Sequence, residues 1–123
     1  MAAQGTLEVG MYSFDCRDAA KLADFWSRVL ERPVDTAATS EYATIGLDGE
    51  GPTWMFVRSA DPGEGRNRLM LDLGGEDDWQ QQADRVEGLG AERVADHQVD
   101  RVRWVEFRDP EGNTFRIFAP RPT

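Results

Sequence analysis

Residues 104–118 read WVEFRDPEGNTFRIF, two β-prone runs on either side of Asp109-Pro110-Glu111-Gly112. Pro and Gly stand where a type I turn prefers them, so Arg101 to Phe107 and Thr114 to Ala119 read as two strands joined by that turn. Successive side chains of a strand point to opposite faces. Val105, Phe107, Phe115 and Ile117 therefore share an apolar face suited to a helix, and Trp104, Glu106, Thr114, Arg116 and Phe118 share the other.

The same split continues upstream. In the strand Arg68 to Leu73 (RLMLDL), Leu69, Leu71 and Leu73 face a helix and leave Arg68, Met70 and Asp72. A helix follows over Asp77 to Leu89, then a strand over Glu92 to Ala95. Asp61-Pro62-Gly63-Glu64-Gly65 marks a flexible connection. Before it, a strand over Leu7 to Phe14 leads through the capping Asp18 into a helix from Ala19 to Arg32. Leu22, Phe25, Trp26, Val29 and Leu30 form its apolar stripe and Pro33 stops it. Strands at Tyr42 to Leu47 and Thr53 to Ser59 close this half. Sliding one half over the other by 59 residues superimposes Met11 on Met70, Asp18 on Asp77 and Leu30 on Leu89.

In the first strand, Tyr12 and Phe14 pack on the helix and leave Val9, Met11 and Ser13. Collected, the faces turned away from the helices carry Met11, Ser13, Met70, Asp72, Trp104, Glu106, Thr114, Arg116 and Phe118. Thr44, Trp54 and Phe56 join them less clearly, because both parities of Thr53 to Ser59 are apolar. Aromatic rings and thioethers around a few charged groups suit a small-molecule pocket; the bland alternative is a second core or a dimer interface.

Composition narrows the classes. The 123 residues hold 14 Lys and Arg against 23 Asp and Glu, a net charge of −9 that repels phosphate backbones and anionic lipid. No nucleic-acid or membrane partner is expected. Cys16 is alone, which excludes an internal disulfide and suits a reducing, cytoplasmic setting. Gly-rich phosphate loops, nucleophile elbows and paired Cys motifs are absent. His97 falls near an expected loop and reads as a surface histidine.

The helix DAAKLADFWSRVLERPV, the strand NRLMLDL, the run ADRVEGLGAERV and the terminal WVEFRDPEGNTFRIF resemble the glyoxalase/bleomycin resistance/dioxygenase group, also called vicinal oxygen chelate proteins. The likeness runs from about Leu7 to Phe118. It implies one α+β glyoxalase-like domain over residues 1–123, built of two βαβββ modules at about 7–60 and 66–119. Their mixed sheets would curl into a cup with the helices outside, commonly completed by a second chain in a homodimer.

Enzymes of this group hold a divalent metal through His and Glu side chains. The matching positions here are Met11, Met70 and Arg116, two thioethers and a permanent cation, so no metal and no cofactor is expected. The leading expectation is a metal-free binder of a small aromatic or hydrophobic molecule, such as an antibiotic or metabolite to be sequestered. Met11, Trp54, Phe56, Met70, Asp72, Trp104, Glu106 and Arg116 would hold the ligand. The alternative is a metal-independent isomerase, epimerase or lyase in which Asp72 or Glu106 is the general base and Arg116 steadies an oxyanion. A metal-dependent lyase or dioxygenase ranks below both.

Overall fold

The computed structural model describes residues 9–49, 51–63, 67 and 69–120. The chain divides into two compact units, Met1–Pro62 and Gly63–Thr123. Unit one holds β1 (Met11–Cys16), α1 (Ala19–Leu30), β2 (Tyr42–Ile45) and β3 (Thr53–Arg58). Its sheet has the order β1-β3-β2, with β1 parallel and β2 antiparallel to β3. Unit two holds β4 (Leu71–Gly74), α2 (Trp79–Gly88), β5 (Glu92–Val99), β6 (Val102–Arg108) and β7 (Thr114–Phe118), in the order β4-β7-β6-β5.

The internal repeat is therefore a repeat of topology: in each unit the first strand lies parallel to the last, which pairs antiparallel with the strand before it. Where β5 flanks β6 in unit two, unit one has a single bridge from Val34 to Ile45. Pro33 brings no N–H to that edge. The chain then leaves it through Ala37, whose φ of 72° is left-handed. Both sheets are mixed and open, and the architecture is α+β.

Helix α1 starts where the capping aspartate predicts. Asp18 is extended and its carboxylate accepts from the Lys21 N–H at 3.1 Å. Glu31 ends the helix in a left-handed conformation, just ahead of Pro33. Its stripe Ala19, Leu22, Ala23, Phe25, Trp26 and Val29 is buried. In unit two the cap is Asp78 rather than Asp77 and its carboxylate caps no backbone N–H, so the 59-residue alignment slips by one there. Among the described residues no helix is long and apolar enough to cross a membrane.

Several strand limits also move. Cross-strand pairing to Val57 and Arg58 carries β1 on to Cys16, beyond Phe14, whereas Leu7 lies outside the described residues. Strand β4 begins at Leu71 and runs through Gly74; Arg68 is not among the described residues. The expected strand ending at Ala95 continues to Val99, because Val99 pairs with Val102 across a tight turn in which Asp100 takes a φ of 54°.

Trp54 and Phe56 need a larger correction, since both stand on the helix face. Phe14 stacks on Phe56 at 5.0 Å between centroids and on Trp54 at 5.7 Å, and Trp26 of α1 meets Trp54 at 5.2 Å. Trp26 and Phe56 are fully buried. Strand β3 is central in its sheet, apolar on both parities, and its burial is decided by where α1 lies.

The 109–113 turn is built by one buried carboxylate. Asp109 Oδ1 accepts the N–H groups of Glu111 and Asn113, both at 2.9 Å, and Oδ2 accepts from the Asn113 amide at 2.9 Å. Gly112 sits at φ 90°, which strains any other residue. Asp109→Ala is expected to cost about 2 kcal/mol, the net value of hydrogen bonds to an ionised acceptor, read as a lower melting temperature. A melt within a degree of wild type would show that the turn holds without it.

Candidate functional site

The registers of the four strands of unit two bring Asp72, Trp104, Glu106, Arg116 and Phe118, all picked from the sequence, into two rows on the face away from α2. One row runs Gly74, Phe118, Trp104, His97 across β4, β7, β6 and β5. The next runs Asp72, Arg116, Glu106, Ala95 across the same strands. The opposite parity, Val105, Phe107, Phe115 and Ile117, is buried.

The first row is aromatic. His97 stacks on Trp104 with centroids 5.1 Å apart and planes 17° apart, and Trp104 on Phe118 at 5.3 Å and 21°. Neighbouring strands lie about 4.8 Å apart, so the rings stand side by side on the sheet like rungs. The second row is charged. Arg116 donates from Nε to Asp72 Oδ1 at 2.6 Å and from Nη2 to Asp72 Oδ2 at 2.8 Å, a two-pronged pair. Its guanidinium also lies 5.1 Å from the Phe118 ring centre.

The hydrogen bonds to Asp72 raise the Arg116 pKa above its ordinary value; partial burial opposes this, and the charges of Asp72 and Glu106 add to it. A fixed cation thus occupies the middle of the row. Glu106 Oε1 lies 3.0 Å from His97 Nε2, so an ionised Glu106 makes that nitrogen the donor.

At the Gly74 end a cleft of about 530 Å³ opens, lined among others by Asp72, Gly74, Gly75, Val102, Phe118 and Pro120. Gly75 fixes its rim: its N–H donates to the Phe118 carbonyl at 3.0 Å, and a Cβ there would lie 2.5 Å from that of Trp79.

His97, like Trp54 and Phe56, stands elsewhere than the sequence reading placed it. It is on a strand and within the aromatic row, not on a loop surface. The signal that could have found it is the Val99-Asp100-Arg101-Val102 hairpin, which extends β5 back through position 97. Met70 is half-buried just before β4.

In unit one, Met11, Ser13, Thr44 and Met55 occupy the face opposite α1, and Met11 and Ser13 are exposed. Met55 was not singled out by the sequence. The Thr44 hydroxyl donates to Asp35 Oδ2 at 2.7 Å. The Leu47 N–H and then Thr44 hold the Asp35 carboxyl below the usual carboxylate range, partly offset by burial. Thr44 thereby ties β2 to the Asp35 loop.

The model of the glyoxalase-like domain family matches residues 11–118. The chain belongs to this glyoxalase-like family. Its fold matches a glyoxalase/bleomycin resistance protein/dioxygenase family enzyme from Burkholderia phytofirmans at 13% identity and TM-score 0.75, over 92% of this chain and 98% of that one. The fosfomycin resistance protein FosX from Listeria monocytogenes matches at 12% and 0.74, over 94% and 95%. TnmS3, an antibiotic binding protein from Streptomyces, matches at 19% and 0.67, over 97% and 100%. No curated protein matches the sequence.

Within this glyoxalase-like chain, the positions that would ligate a metal fit one poorly. Met11 and Met70 offer thioethers, weak donors to hard or borderline cations, and Arg116 offers a guanidinium bound to a carboxylate. Among the described residues no three His, Cys, Asp or Glu side chains group as a metal site.

Proposed function

We propose that this protein binds a small aromatic or hydrophobic molecule without a metal ion and sequesters it. The observation that carries the reading is the stacked row of His97, Trp104 and Phe118 beside an internally paired charged row and a cleft of ligand size. The antibiotic-binding and fosfomycin-resistance proteins that share the fold give the reading its context. A cytoplasmic homodimer completes it, supported by the lone cysteine and the family resemblance.

The His97 to Glu106 contact favours one second reading, a metal-independent isomerase, epimerase or lyase in which Glu106 takes a proton and Arg116 steadies the developing oxyanion.

A melting-temperature screen over planar aromatics and divalent cations separates these readings. A ligand at one hundred times its dissociation constant adds about 2.7 kcal/mol, several degrees in a domain this size. Aromatics are expected to raise the melt and divalent cations to leave it unchanged. In Arg116→Ala the guanidinium beside the Phe118 ring and on Asp72 is lost, and the shift given by uncharged aromatics is expected to shrink by at least half. Stoichiometric metal binding, or full stabilisation by uncharged aromatics in Arg116→Ala, would sink the assignment. Turnover of a carbonyl substrate that vanishes in Glu106→Gln would favour the second reading.

A further inference from the structure

The aromatic row has four positions and three rings. Its fourth position, opposite Phe118 on β4, is Gly74. Gly74 shares the parity of Asp72, whose carboxylate meets Arg116 on this same face, so a side chain at 74 would stand beside Phe118 as Trp104 stands on the other side. A Cβ built at Gly74 meets nothing within 4 Å. The cleft is lined by both Gly74 and Phe118 and by Asp72.

We propose that Gly74 is a specificity-determining gap: the ligand is a flat aromatic molecule that inserts over Gly74 as the missing rung of the stack, with a positively charged or N–H-bearing substituent directed to Asp72. The inference rests on the binding reading above and adds where the ligand sits and what class it belongs to.

Charge selects the class. The polar row holds two carboxylates and one permanent cation, and Nε and Nη2 of that cation are engaged by Asp72. An anionic ligand would meet a row of two carboxylates whose one cation is already paired, whereas a cation or N–H donor can share the Asp72 oxygens and leave that pair in place. The net charge of −9 steers the same class of molecule. The glycine has a second consequence: a β-strand loses stability at a glycine, so an open rung is retained at a cost that a filled one would remove.

Proflavine, a planar aromatic cation, and naphthoate, a planar anion, test this by fluorescence titration of the full chain. Wild type is expected to bind proflavine more tightly than naphthoate. Gly74→Phe places a ring of the chain's own in the gap and is expected to weaken proflavine roughly tenfold or more, the order expected for a lost aromatic stack together with its buried area. Its melting temperature should be equal to or above wild type. Gly74→Ala, which leaves most of the gap, should weaken proflavine only severalfold and covers the case in which the phenylalanine protein misfolds.

If proflavine binds wild type and Trp104→Ala weakens it while folded Gly74→Phe and Gly74→Ala bind as wild type does, the gap is overturned and the binding reading stands. Naphthoate binding as tightly as proflavine overturns the charge preference. If neither compound, nor any planar aromatic in the screen above, binds wild type, the binding reading falls and takes the gap with it.

Discussion

Trp26→Ala is expected to unfold some 10 to 20 °C below wild type. Trp26 is fully buried and is the hub between helix and sheet in unit one, meeting Phe25 at 5.3 Å, Trp54 at 5.2 Å and Phe14 at 6.3 Å. Truncating a buried tryptophan costs about 3 to 5 kcal/mol, the transfer of the lost ring plus the cavity it leaves. In a domain of this length each kcal/mol moves the melt by roughly 3 to 6 °C. Calorimetry measures it, and a drop below about 5 °C would mean that the neighbouring rings collapse into the space. Trp26→Phe should keep much of the loss from appearing, since it retains the stack with less volume removed.

Trp104→Ala is expected to do the reverse, sparing the fold and damaging recognition. Trp104 is half-buried and its partners are the rings of His97 and Phe118 on adjacent strands. Removing the middle rung leaves the outer two without a common support. A central aromatic anchor in a binding site carries about 2 kcal/mol or more, a loss of roughly thirtyfold in affinity. Titration of the best aromatic from the screen reads it, with the melt as control. Wild-type affinity in Trp104→Ala would show that the row packs the sheet and holds no ligand.

The hairpin at 104–118 was the most legible part of the chain, because one parity is uniformly apolar and the other mixed, so alternation alone separates its faces. Asp18 announced α1 for an equally local reason, a side chain able to cap the backbone it precedes. Trp54 and Phe56 could not be placed this way. Their strand is apolar on both sides, and burial there depends on where a helix thirty residues away packs. His97 was hidden by the polar stretch Asp96-His97-Gln98, whose strand character comes from pairing with β6 rather than from propensity. Gly74 left no trace at all, since a gap in a row becomes visible only when the register of all four strands is known.

The position of β7 bears on how the polypeptide comes together during synthesis. The strand made last in unit two lies between β4 and β6, as β3, made last in unit one, lies between β1 and β2. Unit one has every strand of its sheet once Arg58 has left the ribosome, whereas β4 waits for a partner until Thr114 to Phe118 emerge. Nascent chains halted before residue 114 would carry a finished N-terminal half and a C-terminal half with an unsatisfied strand, a natural client for chaperones.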